Sequence, residues 1–241
     1  MQVQDVKQGE MIYEGKAKIV YATDNPALLI QHFKDSATAF DGKKKGEIKD
    51  KGVANAAIST KLFRMLEEEG VATHFEGMLN DRDMLIDNLD MIKLEAITRN
   101  IAAGSLAKRL GYEEGTPLKK PVVEFYYKRD DLGDPIITCQ HVMELGLIDE
   151  PGFKYIRDLS FRINDILTGY FDSIGLKLID MKMEFGYDQE GNIVLGDEIS
   201  PDTCRFWDKE TNEKLDKDRF RRDLGGVEEA YEEVLRRVTG S

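Results

Sequence analysis

The clearest pattern of hydrophobic and polar positions lies at residues 176–185, where the two classes of side chain alternate with a period of two. This period is typical of a β-strand, whose successive side chains point to opposite faces. One predicted face carries Leu176, Leu178, Asp180, Lys182 and Glu184. The other face is apolar throughout and consists of Ile179, Met181, Met183 and Phe185. A single strand face therefore combines two acids with a base.

A turn-rich segment at residues 187–192 follows this strand, and a short apolar run then leads to Asp197. The combination predicts a β-hairpin. With the turn centred between Glu190 and Gly191, Glu184 lies opposite Asp197. Two carboxylates on neighbouring strands, with no lysine required between them, predict a site for a divalent cation. The alternative is a solvated hairpin face whose charges point to water.

Elsewhere the chain alternates short β-rich segments with segments of helical periodicity. Strands are predicted at residues 11–23, 27–33, 73–78, 83–86, 91–98 and 121–128. Helices, each ended by a glycine, are predicted at residues 53–69, 102–110, 152–174 and 227–238. Antiparallel strands mixed with these helices predict an α+β fold. We expect an N-terminal sheet lobe over residues 1–92 and a larger lobe over residues 93–241.

The composition argues against two classes of binding partner, nucleic acids and membranes. The 241 residues are 33% charged and carry a formal net charge of −12, which argues against a nucleic-acid-binding protein because such proteins need a basic surface. The N-terminus has no apolar signal segment, and no stretch is long and apolar enough to span a membrane. Cys139 and Cys204 match no metal-ligand spacing. We expect a cytoplasmic protein with neither nucleic acid nor membrane as a partner.

The strands predicted at residues 11–23 and 27–33 form a second predicted hairpin, and a possible polyphosphate site lies within it. Gly15 allows a ligand to approach the backbone, and Lys16 and Lys18 share one face because they are two residues apart. Ammonium groups and backbone N–H groups together suit phosphate oxygens. The spacing is neither that of a P-loop nor that of a dinucleotide-binding loop. The alternative is a lysine pair that keeps an edge strand soluble.

Two arginines mark further anion sites. Arg99 precedes a small-residue helix start at Gly104 and Ser105, where backbone donors and a hydroxyl would face an anion. Arg205 follows the loop at residues 200–202, close to Asp197. The alternatives are a helix cap with an exposed arginine and a proline-containing loop with a simple arginine–aspartate pair.

In outline the order and type of these functional groups resemble those of protein kinases. A glycine-containing hairpin would cover phosphates, an interlobe segment would hold adenine, and an Asp-x-Lys strand with a later aspartate would handle metal and phosphoryl groups. The kinase motifs HRD, DFG and APE are absent from the sequence. The pattern therefore indicates metal-bridged ATP chemistry without protein kinase activity.

Six segments, in order along nearly the whole chain, resemble the SAICAR synthetase (phosphoribosylaminoimidazole-succinocarboxamide synthase) family of purine biosynthesis. They are YEGKAK, DSATAFDG, RNIAAGSLAKR, GLKLIDMKMEFG, LGDEISPDTCRFWD and LDKDRFR. The resemblance implies a two-lobed α+β fold related to ATP-grasp and kinase-like nucleotide binders, often as a homodimer. It also implies a ligase that uses ATP and Mg²⁺ to join L-aspartate to the carboxylate of 5-amino-1-(5-phosphoribosyl)imidazole-4-carboxylate (CAIR) through an acyl phosphate.

The resemblance assigns roles to individual residues. It implies ATP binding by Lys16, Ala17, Lys18, Met91 and Glu95. It implies binding of the other substrates by Asp41, Arg99, Ser105, Lys128, Asp134 and Arg205. It places magnesium on Glu184 and Asp197, and catalysis on Asp180, Lys182, Lys217 and Asp218. The groups that bind aspartate and the role of the basic residues 43–46 are left unassigned.

Two alternatives from other functional classes compete with the ligase. One is a small-molecule kinase that stops at a phosphorylated product, and the other is a nucleotide-binding module without turnover. The ligase needs two anion sites beyond the ATP site, and Arg99 with Arg205 would supply them. A pure nucleotide-binding module would not need both arginines.

Overall fold

The computed structural model describes residues 6–39 and 44–240, which form an α+β fold, as predicted. The strands are β1 (Gln8–Glu14), β2 (Lys18–Thr23), β3 (Leu28–Phe33), β4 (Ser36–Ala39), β5 (Lys44–Glu47), β6 (Phe75–Met78), β7 (Asp83–Asp87), β8 (Asp90–Ile101), β9 (Pro117–Tyr127), β10 (Ile136–Ile137), β11 (Leu176–Tyr187), β12 (Ile193–Leu195) and β13 (Cys204–Asp208). The helices are α1 (Lys51–Glu68), α2 (Gly104–Leu110), α3 (Cys139–Glu144), α4 (Glu150–Ser173), α5 (Asp218–Arg221) and α6 (Val227–Thr239).

The first antiparallel sheet has the strand order β1-β2-β3-β7-β6 and packs against α1. The hairpin predicted between residues 11–23 and 27–33 corresponds to β2 and β3, which pair antiparallel. The expectation of one strand over residues 11–23 is wrong, because a turn at residues 15–17 divides this segment into β1 and β2, which pair with each other. Helix α1 ends where predicted, because Gly70 follows its C-cap and adopts a φ of +74°, a conformation that glycine tolerates best. The β4–β5 hairpin forms a separate two-stranded sheet.

The second sheet has the order β10-β9-β8-β11-β12, and β13 pairs with the N-terminal half of β11. The long strand β11 therefore lies between β8 on one side and β12 with β13 on the other. Helix α4 packs on this sheet, and its apolar side chains join the main core. This arrangement makes β11, with its charged residues, an inner strand of the second sheet.

The predicted faces of β11 are correct only in its C-terminal half. The pairing with β13 shifts register between Leu178 and Asp180, which inserts an extra residue into β11. Leu178 consequently joins the main core on the same side as Met181, whereas Ile179 packs against Trp207 in a separate cluster. The expectation that Leu176 and Leu178 share the charged face is therefore wrong, and so is the expectation that Ile179 shares the core face.

The predicted hairpin register is wrong by one residue. The structure pairs Phe185 with Leu195, so the turn is centred on Glu190. The residue whose amide donates to the Glu184 carbonyl, at 2.9 Å, is therefore Gly196 and not Asp197. Asp197 comes next, with a left-handed φ of +62°. The turn at residues 188–192 is held by Asp188, whose side chain accepts backbone N–H groups within the turn, and this local geometry sets the register.

The main hydrophobic core is continuous across both sheets and includes side chains from α1 and α4. The predicted boundary between residues 92 and 93 falls inside β8, and it stays a prediction. The amide of His74 donates to the Leu195 carbonyl at 2.9 Å, and the amide of Leu195 donates to the Ala72 carbonyl at 3.1 Å, so the segment just before β6 is joined to β12. None of the helices in the described part of the chain is long and apolar enough to cross a membrane.

Candidate active site

Two clusters of charged side chains adjoin each other along β11. The lysine–carboxylate cluster consists of Lys18, Lys128, Lys182, Glu95, Glu184, Asp197 and Glu198. The arginine cluster consists of Arg99, Arg109, Arg205, Arg221, Arg222, Glu124, Asp180 and Asp218. Strand residues two apart point to one face about 7 Å from each other, so Lys182 of the first cluster and Asp180 of the second are neighbours.

Lys182 is the centre of the lysine–carboxylate cluster. Its Nζ donates to Glu184 and lies 3.0 Å from Asp197 Oδ2 and 3.6 Å from Glu95 Oε1. Burial alone would lower the pKa of Lys182, but the surrounding carboxylates, Asp197 foremost, hold it well above its ordinary value. The ammonium therefore remains charged and bridges the two strands that meet here.

Asp197 accepts a second ammonium, that of Lys18, which also lies 3.3 Å from Glu198 Oε1. Burial would raise the pKa of Asp197, but Lys18 and Lys182 outweigh burial and hold the pKa below its usual range. The backbone helps to place this carboxylate, because Gln31 Nε2 donates to the Asp197 carbonyl at 3.3 Å. A carboxylate at the end of β12 is thereby fixed against β3 and β11.

The expectation that no lysine separates Glu184 from Asp197 is wrong, because Lys182 binds both. The two carboxylates nevertheless fit a magnesium ion. Three ammonium groups face four carboxylates in this cluster, so a bound polyphosphate needs a further cation, and the two acids already hold a cationic group between them. No group of three or more His, Cys, Asp or Glu residues suited to a metal ion occurs within residues 6–39 and 44–240. Mg²⁺ is commonly held by one or two carboxylates plus substrate phosphates, so a pair of acids is sufficient.

Glu95 adds a like-charge contact to this cluster. It lies directly opposite Glu184 in the β8–β11 pairing. Burial raises the pKa of Glu95, Lys182 opposes this rise, and the neighbouring Glu184 adds to it. Two carboxylates placed side by side favour the approach of a cation between them.

The arginine cluster is a series of arginines joined by carboxylates. Asp180 Oδ2 accepts from Arg99 Nη1 at 2.7 Å and from Arg205 Nη1 at 2.8 Å. Both contacts follow from the register, because Asp180 lies opposite Arg99 on β8 and opposite Arg205 on β13. Three strands thus converge on one buried carboxylate, and each arginine is held in a defined orientation.

Glu124 and Asp218 extend the series at its two ends. Glu124 on β9 accepts from Arg99 Nε at 3.1 Å and from Arg109. Asp218 accepts from Arg205 Nε at 3.0 Å. Burial would raise the pKa of Asp218, but the adjacent arginines lower it to about 2. Asp218 therefore remains ionised at neutral pH and keeps the guanidinium group of Arg205 in place.

The cluster still has an excess of positive charge, because four of its arginines share three carboxylates, while Arg222 mainly binds a further acid, Glu114, at 2.5 and 2.8 Å. Their remaining N–H groups suit a phosphate or carboxylate ligand, which guanidinium groups bind in a bidentate manner. Gly104 makes room for Arg205, since a Cβ at residue 104 would lie 2.6 Å from Arg205 Nη2. The hydroxyl of Ser105 accepts from Arg99 Nη2 at 3.3 Å, so Ser105 lies at the edge of the same surface.

The structure brings together most of the residues predicted to act on substrates. Glu95, Lys128, Lys182, Glu184 and Asp197 meet in one cluster, and Arg99, Ser105, Asp180, Arg205 and Asp218 meet in or beside the other. Asp41 lies outside the described residues. Lys217 is adjacent to the arginine cluster, and its Nζ lies 3.5 Å from Asp202 Oδ1. Burial lowers the pKa of Lys217, and Asp202 opposes this effect.

Other predicted residues lie at the edges of the clusters. Lys16 does not share a contact with Lys18: it belongs to an exposed turn and lies 3.4 Å from Asp130. The carbonyl of Ala17 accepts from the Lys34 amide at 2.8 Å, which holds this turn against β3. Asp134, with a φ of +45°, accepts from the Arg129 amide at 2.8 Å.

The last of these edge residues is Met91, which is partly exposed at the start of β8. Its sulfur packs near Gly186 and Gly196. A thioether at this edge of the sheet offers a flexible apolar surface beside Glu95 of the lysine–carboxylate cluster.

Sequence reasoning missed several members of the two clusters. Glu124, Arg109, Arg221, Arg222 and Glu198 were not identified as candidates. Glu124 had a weak signal, since a lone acid interrupts the apolar run of residues 121–127. Arg221 also had a signal, because it lies three residues after Asp218, a spacing that places two residues on one helix face. The others became visible only when separate segments came together in the fold.

The chain is similar to proteins of one family over nearly its whole length. The sequence model of the family described as SAICAR synthetase matches residues 11–238. A phosphoribosylaminoimidazole-succinocarboxamide synthase from Clostridium kluyveri is 58% identical over 234 residues, which cover 97% of this chain and 99% of the relative.

Solved structures are similar over nearly their full length. One of the same synthase from Ehrlichia chaffeensis has a TM-score of 0.94 at 46% identity and covers 95% of this chain and 98% of its own. A SAICAR synthetase in complex with ADP has a TM-score of 0.93 at 49% identity and covers 96% of this chain and 98% of its own.

Proposed function

This chain belongs to the SAICAR synthetase family, and we propose that its two charged clusters join L-aspartate to the carboxylate of CAIR at the expense of ATP. The products are SAICAR, ADP and phosphate. The observation that carries the proposal is the adjacency of a lysine–carboxylate cluster and an arginine cluster on one strand, β11. A polyphosphate and a phosphorylated carboxylic acid can be held there side by side.

The chemistry explains why both clusters are needed. A carboxylate is a poor electrophile because its oxygen is a poor leaving group. Transfer of the γ-phosphoryl group of ATP to a CAIR carboxylate oxygen forms an acyl phosphate and releases ADP. The amine of aspartate then attacks the carbonyl carbon, the carbon–oxygen bond to phosphate breaks, and the amine loses a proton. The site must hold several anions at once, which requires fixed positive charge.

The lysine–carboxylate cluster is the proposed ATP side. Lys18 and Lys182 would contact the phosphates, with the backbone of Lys16 and Ala17 at the covering turn. Met91 and Glu95, at the adjoining edge of β8, would face adenine and ribose. Glu184 and Asp197 would hold Mg²⁺, which neutralises phosphate charge when bound. Lys182 lies two residues from Asp180 of the arginine cluster on the same strand, and it would stabilise the transferred phosphoryl group.

The arginine cluster is the proposed CAIR side. Arg99, Arg205 and Ser105 would bind its phosphate and carboxylate. Asp180 and Asp218 each accept from two arginines, so we assign them to positioning these arginines in place of the catalytic role expected from the sequence. Lys217 has a loosely held ammonium beside this cluster and remains the candidate for a direct catalytic or binding role. Roles for Lys128, Asp134 and Asp41 stay predictions.

We further propose that the protein is a cytoplasmic homodimer. The edge strand β1 exposes the large apolar side chains of Met11, Ile12 and Tyr13, and burial against a second copy would remove them from water. Light scattering coupled to size-exclusion chromatography measures the oligomeric state, and a monomeric mass at micromolar concentration would contradict the dimer.

The ligase is tested by one set of reactions that contain ATP, Mg²⁺, CAIR and L-aspartate. Phosphate and SAICAR should form in equal amounts, and an isotopically labelled oxygen in the CAIR carboxylate should appear in the released phosphate. ADP formation that is independent of aspartate and yields no SAICAR would favour the small-molecule kinase. Tight ATP binding without any turnover would favour the nucleotide-binding module.

A further inference from the structure

Lys44, in the basic segment at residues 43–46, binds residues of α5 and of the loop that follows it. Lys44 Nζ donates to the Phe220 carbonyl at 2.5 Å and to Asp223 Oδ1 at 2.5 Å. The same ammonium lies 4.7 Å from the centroid of the Phe220 ring, which is cation–π geometry. One lysine of the β4–β5 hairpin therefore binds the backbone, the ring and the nearest acid of α5 and the loop that follows it.

The hairpin that carries Lys44 is fixed at its base. Ser36 Oγ donates to the Lys16 carbonyl at 2.8 Å, which ties β4 to the turn proposed to cover ATP. Asp35 accepts from Arg82 Nη1 at 2.7 Å and from the Gly52 amide at 2.9 Å, so the start of the hairpin is attached to the first sheet and to α1. Lys44 thus extends from an anchored base toward α5.

A small apolar cluster, separate from the main core, supports the same contact. Ala37, Ile48, Ala54 and Tyr231 are its buried members, and Phe220 packs against them. Gly46 leaves space for the Phe220 ring, because a Cβ at residue 46 would lie 3.0 Å from it. Phe220 is consequently held between the hairpin, α1 and α6.

Helix α5 needs such support, because it has only four residues and too few internal hydrogen bonds to be stable alone. Its terminal carbonyls lack helical partners, and a lysine that donates to one of them acts as a C-terminal cap. This short helix carries Asp218 and Arg221, and Asp218 in turn orients Arg205. Displacement of α5 would therefore disturb the arginine cluster directly.

We propose that Lys44 is a positioning residue that seats α5 against the β4–β5 hairpin and thereby keeps the arginine cluster in the geometry that binds a phosphate monoester. The inference rests on the proposed function, because that function assigns the phosphate-bearing substrate to these arginines. It adds a link from the turn at Lys16, through the hairpin and Lys44, to Asp218 and Arg205. Substrate affinity on the CAIR side thus depends on a residue that does not touch CAIR.

The test compares Lys44→Met, Lys44→Arg and Lys45→Met by calorimetric binding of CAIR and, separately, of ADP with Mg²⁺. Lys44→Met keeps the length of the side chain and removes its donors, so the Kd for CAIR should rise about tenfold, the change expected for loss of a charge-assisted hydrogen bond. The Kd for ADP should change less than about twofold. Lys44→Arg should restore most of the CAIR affinity, and Lys45→Met, at the exposed neighbouring position, should match the wild type.

Unchanged CAIR affinity in Lys44→Met would overturn the proposal. Equal losses for CAIR and ADP, together with a lower Tm, would also overturn it, because they would show a general loss of structure. These outcomes are separable from failure of the proposed function. A wild-type protein that binds CAIR without turnover would contradict the ligase and leave the Lys44 comparison intact, whereas a wild type that binds neither CAIR nor ribose 5-phosphate would overturn both.

Discussion

The lysine–carboxylate cluster and the arginine cluster both include residues of β11, but they differ in the balance between positive and negative groups. In the first, three ammonium groups lie among four carboxylates, and Lys182 contacts three acids at once. In the second, four guanidinium groups share three carboxylates, since Arg222 mainly binds Glu114, and Asp180 accepts from two arginines through one oxygen. The first cluster has an excess of negative charge and the second an excess of positive charge.

This difference shows which half of the site is complete within the chain. A guanidinium is planar and is oriented by two acceptors at once, so the arginine cluster is preorganised for an anion. An ammonium is a point charge on a flexible stem and can turn from carboxylate to phosphate. The lysine–carboxylate cluster therefore needs an added cation before it can hold a polyphosphate, whereas the arginine cluster does not.

The largest expected effect comes from Asp197→Asn. Loss of this charge leaves one carboxylate for Mg²⁺, so kcat should fall by about 10³-fold, the scale seen when one electrostatic contact to a transition state is removed. CAIR binding measured by calorimetry should stay within about twofold, because the arginine cluster is untouched. Wild-type turnover in this variant at ordinary Mg²⁺ concentrations would eliminate the metal assignment.

A smaller effect is expected from Arg205→Lys, which tests the other cluster. Lysine keeps the charge but cannot donate in a fixed fork to both Asp180 and Asp218. The KM for CAIR should rise about 10²-fold, within the range of energies for charge-assisted hydrogen bonds, while the KM for ATP changes little. A parallel rise in both KM values would show that the two clusters are not separable.

Gly104→Ala tests whether Arg205 needs the space that the missing side chain of residue 104 leaves, and Gly111→Ala is the matched control. Both glycines have left-handed φ values, +53° and +71°, but a Cβ at residue 104 would meet Arg205, whereas no atom of the described residues lies within 4 Å of one at residue 111. Each variant should lose about 1 kcal/mol of unfolding free energy from backbone strain.

Only Gly104→Ala should also raise the KM for CAIR, by roughly tenfold, the cost of about one hydrogen bond to a charged group. Steady-state kinetics on both variants measure the difference. An equal KM in the two variants would show that Arg205 tolerates displacement.

The smallest effect on activity is expected at His74, which lies buried near Lys18 and Asp197 and stacks edge-on against Phe63. Burial, with Lys18 second, lowers its pKa from 6.5 to about 3. The unfolded chain therefore binds a proton below pH 6.5 that the folded protein does not. The contribution of His74 to the free energy of unfolding is therefore fully present above pH 6.5. It is lost as the pH falls, by up to ~2 kcal/mol between pH 6.5 and about pH 5.

Urea unfolding as a function of pH should show this slope in the wild type and a reduced slope in His74→Gln. Identical slopes would exclude His74 as the group that titrates. Turnover by His74→Gln at pH 8 should stay within a few-fold of the wild type, because a neutral amide replaces a neutral imidazole and no ion pair of the lysine–carboxylate cluster is removed.

Local sequence pattern was sufficient for most secondary structure and for part of the site. The long helix, the hairpin at residues 11–33 and the stop at Gly70 follow from periodicity and from glycine, which depend only on neighbours in sequence. Asp180, Lys182 and Glu184 were recognisable as one charged face for the same reason. Glu124 and Arg109 were not, because their importance depends on β9 lying beside β8.

The errors arose where pairing partners or local irregularities decide the outcome. A shift of one residue placed Gly196 opposite Glu184, and an inserted residue between Leu178 and Asp180 reversed the faces of the first half of β11. A two-residue side-chain period makes every facing argument sensitive to such single-residue changes. The position of Lys182 between two acids could not follow from spacing along one strand.

Residue identity and short-range spacing are enough to predict the fold class, the longer helices, the charged residues of β11 and the family resemblance carried by six segments. They do not reveal that Asp180 joins Arg99 to Arg205, that Lys182 bridges Glu184 and Asp197, or that Lys44 caps α5. These contacts join residues up to 176 positions apart. The physical reason is that the energy of a charge depends on the charges packed around it, and folding alone brings those neighbours together.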